Sequence, residues 1–362
     1  MNQALQTLQT TAGAVFDAAE TAAPLTFSND AAALNAAQTG MAVVDRSHWG
    51  RVQVSDADRL RFLHNQTTND IQTLKPGQGC DTVFVTSTGR TIDLVTAYVC
   101  EDTVLLLTSP NLQRTLIDWM DRYIFFADKV KLADVTQETA AFTVLGPKSD
   151  ALLETLGASA LIGGSNAQHQ TLTFADETIR AVVGSGLSLP GYTLIAPAEK
   201  AAPLWRTLTD AGAVPLGERA WRQLRIEQGR PMPGQELTED HNPLEAGLWN
   251  SLSFSKGCYI GQETIARLNT YQGVKQQLWG VKLSAIAPPG ATITIGENKV
   301  GKLTSVAETA QGFVGLAYIR TKAGGHGLRV HIGDVTGDII DIPFAARGYL
   351  ELGKEGAGSP EK

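Results

Sequence analysis

Lys256-Gly257-Cys258-Tyr259-Ile260-Gly261-Gln262-Glu263 is the stretch from which the rest of the chain is best read. Downstream, Ile265 and Leu268 supply one apolar face, and Glu263 and Arg267 stand at the i, i+4 spacing of an acid–base pair on a helix. Gly261 or Gln262 is therefore predicted to open a helix, and Cys258 falls just before it. A thiol there meets the positive end of the helix dipole, with Lys256 two residues away, and both features favour the reactive thiolate. A second role fits the same residue, a half-buried structural cysteine.

Upstream, the pattern alternates between hairpins and single helices. A helix is predicted over Ala4–Ala19 and another over Asp56–Gln66, with Ser55 or Asp56 as its cap. Thr82–Thr86 and Thr91–Val99 read as strands joined by the turn Ser87-Thr88-Gly89-Arg90, followed by a strand at Val104–Leu107. Pro110 is predicted to open a helix carrying Leu112, Leu116, Trp119 and Tyr123 and ending near Phe126. Strands follow at 130–132, 140–145, 170–174, 179–183 and 192–195, then a helix near 198–211. This order implies an α+β fold with largely antiparallel sheets. After Gln276 the text changes to short β-rich pieces separated by turns such as Pro288-Pro289-Gly290, the pattern of a small antiparallel barrel. The expected division is an N-terminal helix at 1–22, a body of two α+β modules at 23–275, a C-terminal β-barrel at 276–350 and a disordered tail at 351–362.

With 30 Lys and Arg against 37 Asp and Glu, the net charge of −7 gives no global nucleic-acid signature. Cys80, Cys100 and Cys258 are odd in number and far apart, which argues against a disulfide framework and against a zinc site. The first residues carry no signal-peptide pattern, and no run approaches the roughly 20 apolar residues of a membrane span. A cytoplasmic chain, not bound to membrane, is expected. Gly184-Ser185-Gly186 lacks the third glycine of a dinucleotide fingerprint, because Leu189 stands there. His326 and His331 have no cluster of further ligands and read as surface residues. Arg46, Arg51, Arg59 and Arg61 read as a solvated face, with an anion site as the rarer alternative.

The Lys256–Glu263 segment resembles the K-G-C-Y-x-G-Q-E signature of the YgfZ family of folate-binding proteins. Phe62-Leu63 with Thr68-Asn69-Asp70 is similar to the family's F-L … T-N-D segment. Leu244 to Leu248 is similar to its P-x-E-A-G-L segment, and Gly301 with Thr304-Ser305 to the G-x-x-T-S of its terminal barrel. The resemblance implies a GcvT-like multi-module fold, shared with the glycine-cleavage aminomethyltransferase, that binds tetrahydrofolate or a one-carbon derivative. In that superfamily a Glu after an Arg-Leu pair holds the pteridine. Arg225-Ile226-Glu227 stands in its place, so Glu227 is the implied folate contact; a helix-end pair with Arg222 or Arg225 is the other role it could serve. The superfamily's acid lies in a G-G-x-x-D-D-L strand, read here as Gly89-Arg90-Thr91-Ile92-Asp93-Leu94-Val95, which keeps one aspartate of the two. Asp93 either approaches the ligand or is a polar residue on the open face of a hairpin. Tyr123 is a further expected ligand contact.

The family also implies support of iron–sulfur protein assembly or repair, with Cys258 as the functional thiol and iron–sulfur clients or assembly proteins as partners. The alternative it leaves open is a folate-dependent aminomethyl- or methyltransferase acting on a small amine or thioether. Three cysteines cannot hold a four-thiolate cluster within one chain.

Overall fold

The computed structural model describes residues 2–17 and 23–351. The expected tail beyond Glu351 and the end of the expected first helix lie outside these residues. The chain forms two compact units. The first comprises Met1–Gln66, Asp70–Thr82 and Leu94–Leu224, and the second comprises Thr67–Asn69, Val83–Asp93 and everything from Arg225 on. The barrel begins at Gln276, and the unit that contains it also takes in the chain from Arg225.

In the first unit a six-stranded sheet runs in the order His169–Phe174, Glu177–Val183, Gly191–Pro197, Thr139–Leu145, Ala42–Asp45, Val214–Leu216. Its pairs are antiparallel except the last, which is parallel. Val43, Phe142, Val144 and Leu194 have no exposure and build the core with Leu204 and Trp205 of the helix Ala201–Asp210. The ring of Phe27 stacks on Trp205 at 5.9 Å. The N-terminal helix adds Leu5 to the same core but spans only Gln3–Thr11, shorter than expected. Gly13, at φ 90°, ends it, and Val15–Phe16 pairs with Pro24–Thr26 instead of continuing the helix.

Two other helices are shorter than read. Asp56, at φ 80°, makes a turn, so the helix occupies Arg59–Gln66. Pro110 is the last residue of the strand Thr103–Pro110, opposite Trp49, and the helix runs from Gln113 to Asp121. Beyond the helix, Phe125 and Phe126 are exposed.

The arginine cluster is not a solvated face. Arg46 and Arg51 are buried, while Arg59 is half-buried and only Arg61 is exposed. Arg46 lies between the rings of Trp49 and Trp221, at 4.0 and 3.7 Å. Arg51 donates from Nε to Thr139 Oγ1 (2.8 Å), from Nη1 to the carbonyls of Ser47 (3.0 Å) and Trp49, and from Nη2 to those of Thr139 (2.8 Å) and Thr136. Carbonyl dipoles and aromatic faces accept these charges, and no sequence spacing announces that.

The second unit holds a closed six-stranded barrel in the order Gln276–Leu283, Gly312–Arg320, Asn298–Thr309, Thr292–Ile295, Arg329–Ile332, Val335–Ile340. Pairing of Gly280 with Ile340 closes it and removes its sheet edges. Val281, Ile293, Leu303, Ala317, Ile319, Val330 and Ile339 fill it without exposure. The sequence reading missed the sixth strand because Gly337-Asp338 breaks its apolar run. A side chain at position 337 would strike Val281 at 2.8 Å, which explains the gap in the pattern.

Candidate functional site

All eight residues of the Lys256–Glu263 segment lie in the second unit, and most of them have structural work. Lys256 is buried and its ammonium donates to the carbonyls of Thr67 and Asn69, both at 2.7 Å, with the ring of Tyr259 at 4.9 Å. The Thr68 hydroxyl donates to Ser251 O (2.7 Å) and accepts from Val83 N (2.9 Å), and Ser253 N donates to Thr68 O (3.0 Å). The T-N-D segment and the approach to the cysteine are thus stitched together. Burial pushes the Tyr259 hydroxyl up to about 12.

Gly261 precedes the helix Gln262–Thr270, as the spacing predicted, and sits at φ 80°. A Cβ there would lie 2.6 Å from Thr86 O and 3.0 Å from Gly89 Cα. The helix start is therefore pressed against the tip of the Thr86–Arg90 turn, and only glycine combines that φ with that approach. Gln262 reaches back from Nε2 to Gly257 O at 3.4 Å. Cys258 and Glu263 remain exposed. The ammonium of Lys256 is engaged with loop carbonyls, so its placement serves the backbone around the thiol.

Arg225, Ile226 and Glu227 go three ways at the end of the helix Glu218–Gln228. Arg225 enters a buried network: Nη1 donates to Glu236 Oε2 at 2.9 Å, and Nη2 to Ser305 Oγ at 2.8 Å and to Gln235 Oε1. Glu236, with no exposure, also accepts from Met232 N (3.1 Å), Thr304 Oγ1 (2.8 Å) and Ser305 Oγ (2.5 Å). Thr304-Ser305 occupies a register shift in the barrel strand, so the T-S pair is the barrel's contribution to this network. Ile226 packs with Leu278, Leu316, Tyr318 and Ile342. Glu227 is half-buried at the last turn.

Asp93 has no exposure, so it does not lie on the open face of the hairpin. It belongs to the second unit, as do Glu227 and Cys258. Tyr123 belongs to the first unit, half-buried, its ring 4.9 Å from Trp119.

The sequence reading overlooked a cluster in the second unit centred on His241. Its ring stacks on Tyr318 at 3.5 Å and 14°, its Nδ1 lies 3.1 Å from Gln276 Nε2, and Glu245 Oε2 is 3.9 Å away. Burial lowers the imidazole to about 4 against the pull of Asp240, with Lys302 and Arg90 adding to the decrease. Burial raises the Glu245 carboxyl, and bonds from Asn242 and Gln276 oppose it. A local signal was present: in Asn242-Pro243-Leu244-Glu245 the Asn side chain accepts from Glu245 N (3.1 Å) while the Glu carboxylate accepts from Asn242 N (3.2 Å). That is the reciprocal arrangement of a capping box. Among the described residues no group of three or more His, Cys, Asp or Glu could hold a metal ion, and His326 instead meets Asp341 at 3.1 Å.

Antiparallel sheets with flanking helices, followed by a closed barrel, define the aminomethyltransferase class of fold. The glycine cleavage system aminomethyltransferase T of Bartonella henselae superposes with a TM-score of 0.81 over 95% of this chain and 98% of that one, at 20% identity. The chain belongs to the GCVT N-terminal domain family, whose model matches residues 5–256. A chloroplastic protein of Arabidopsis thaliana named "Putative transferase" is 48% identical over 89% of this chain and 75% of its own length. An aminomethyltransferase of Halalkalibacterium halodurans is 31% identical over 93% of this chain and 95% of its own. No helix among the described residues is long and apolar enough to cross a membrane.

Proposed function

We propose that this chain binds tetrahydrofolate or a one-carbon derivative and, as a YgfZ-like member of its family, supports the assembly or repair of iron–sulfur proteins through the thiol of Cys258. The observation that carries the reading is the division of labour inside the Lys256–Glu263 segment. Lys256, Tyr259 and Gly261 are committed to holding the segment against the Thr67–Asn69 loop and the Gly89 turn, and the sulfur between them is exposed. A fixed, accessible thiol can be alkylated, oxidised or offered to a client.

The donor set suits a pterin in kind. Carboxylates accept the paired N–H groups of a 2-aminopyrimidinone edge, and Glu227 is a half-buried carboxylate at a helix end anchored by the Arg225–Glu236 network. When bound, the folate would supply the one-carbon chemistry; Glu227 would orient its ring, with Asp93 of the same unit as a further contact. A cytoplasmic location and iron–sulfur clients or assembly proteins as partners belong to the same proposal.

Titration of the full chain with tetrahydrofolate tests the binding half. Glu227→Ala should weaken binding by about 1.5–3 kcal/mol, the worth of hydrogen bonds to a charged group, and undiminished affinity rejects the assignment. Complementation of a strain lacking the protein tests the thiol: Cys258→Ser should bind folate normally yet fail to restore cluster-enzyme activity.

A second reading is favoured by the family itself, folate-dependent transfer of an aminomethyl or methyl group to a small amine or thioether, as in the relatives named aminomethyltransferase. The retained Asp93 would then be the acid. An Asp93→Asn variant that keeps folate affinity and full complementation would count against that reading.

A further inference from the structure

The first unit contains a cavity of about 410 Å³, lined by none of the residues proposed to hold folate or the reactive thiol. Small-molecule sites fall in the range of roughly 300–1,000 Å³. Its walls come from the N-terminal helix, the turn after Asp45, the residues following the strand Thr103–Pro110, and segments near Thr136 and Ala198. All belong to the one unit.

Among the described residues of the lining, the formal charges are those of carboxylates. The lining carries carboxamides, among them Gln9, Gln113 and Gln137, hydroxyls, and the carboxylates of Asp45 and Glu199, but no lysine or arginine. Asp45 is 4% exposed, and its carboxylate accepts from Gln9 Nε2 (2.8 Å), from Ser47 N (2.8 Å) and from the Ser47 side chain. A carboxylate offers about four acceptor positions, so capacity remains.

His48 in the same wall has a side chain only 8% exposed, and its Nδ1 has no hydrogen-bond partner. Its Nε2 faces Glu218 Oε1 at 3.6 Å. The neutral imidazole carries a single proton, so one of its two nitrogens is an acceptor. Gln113 Oε1, also in the wall, is a buried acceptor without a partner. Buried acceptors without donors are costly, and native proteins seldom keep them without a reason. Asp45 and Gln113 Oε1 take a donor, which a cationic amine brings and a carboxylate anion does not.

We infer that this cavity is a ligand site for a small, hydrogen-bond-donating cation of the alkylamine class, held by Asp45 with Gln113 turning to accept its N–H groups. Burial holds the Asp45 carboxyl above its ordinary value despite the bonds from Ser47 and Gln9 and the nearby Arg51, and a cation seated against it relieves that cost. Glu199, exposed at the edge, adds attraction for the approaching charge.

Three four-carbon probes separate the possibilities by calorimetric titration of the full chain: putrescine, butanediol and succinate, which are cationic, neutral and anionic. Putrescine is expected to bind, with butanediol weaker and succinate absent. Asp45→Asn should weaken putrescine by about ten-fold or more, the loss of one hydrogen bond between charged partners. Glu199→Gln at the exposed edge leaves the fold intact and should weaken binding by a smaller factor, so the test survives if Asp45→Asn fails to fold. Absence of putrescine binding at millimolar concentration overturns the inference. So does succinate binding as well as putrescine, or putrescine affinity unchanged in both variants. None of these outcomes depends on tetrahydrofolate binding.

Discussion

Arg51 in the first unit and Arg225 in the second are both almost without solvent exposure, yet their charges are met by different means. Arg225 has a formal counter-charge, the carboxylate of Glu236, whose own oxygens are bonded by Thr304, Ser305 and a backbone N–H. Arg51 is surrounded by carbonyls and a threonine hydroxyl, and burial lowers its guanidinium to about 10 against the pull of Asp45 and Asp134. The difference shows two solutions to one cost. An ion pair fixes two partners and fails badly when one is lost, whereas a ring of dipoles spreads the charge over the backbone.

Removing the carboxylate should have the largest effect. Glu236→Ala leaves the Arg225 charge buried without its counter-ion, and urea unfolding should show a loss of about 3–5 kcal/mol. A loss under about 1 kcal/mol would mean that the network does not hold the second unit, contrary to the usual cost of breaking a buried pair. Arg51→Met keeps an aliphatic stem and removes the charge, leaving carbonyls without donors. The freed carbonyls can relax toward other donors, so the expected loss is that of one orphaned acceptor, about 1–3 kcal/mol, smaller than for Glu236→Ala. Equal losses would erase the contrast between the two arginines.

Acid should act on both units in the same direction. Burial lowers His169 in the first unit to about 4, with Arg180 adding to it, and lowers His241 in the second to about 4. Each ring is harder to protonate in the fold than in the unfolded chain, where the ordinary value is 6.5. Stability is therefore full above that value and falls as pH drops toward 4, because the unfolded state takes up the extra protons. Glu218, raised to about 7 by burial, works the other way over part of this window, since its proton favours the fold. The Glu218→Gln variant should thus lose stability more steeply on acidification, and His169→Gln less steeply, in melting curves taken across that range. A His169→Gln curve parallel to the parent's would show that the ring is equally basic folded and unfolded.

The smallest expected effect on stability is at Cys258. Its side chain is exposed, so Cys258→Ser should change unfolding by no more than about 0.5 kcal/mol, as surface substitutions do. Lys256→Met, two residues away, removes two bonds to carbonyls and should loosen the segment, seen as faster amide exchange around Ser253. A Lys256→Met chain with unchanged exchange would make the buried ammonium idle.

Local patterning made much of the architecture legible. The strand Thr91–Val99, the turn at Gly89 and five of the barrel strands follow from alternation and turn residues that lie within a few positions of one another. The helix start after Gly261 was legible for the same reason, and the run from Lys256 to Glu263 carried the family resemblance.

What the tertiary structure alone decided was the fate of the charged residues. Nothing near Arg225 in sequence announces Ser305 as its partner, nothing near Gly261 announces the turn at Gly89, and nothing around Arg51 announces a shell of carbonyls from Ser47 to Thr139. Periodicity records which face of an element is apolar. Whether a charge can be buried depends on groups far along the chain that meet it only after folding, because desolvation is repaid by whatever dipoles and counter-charges the fold assembles around it.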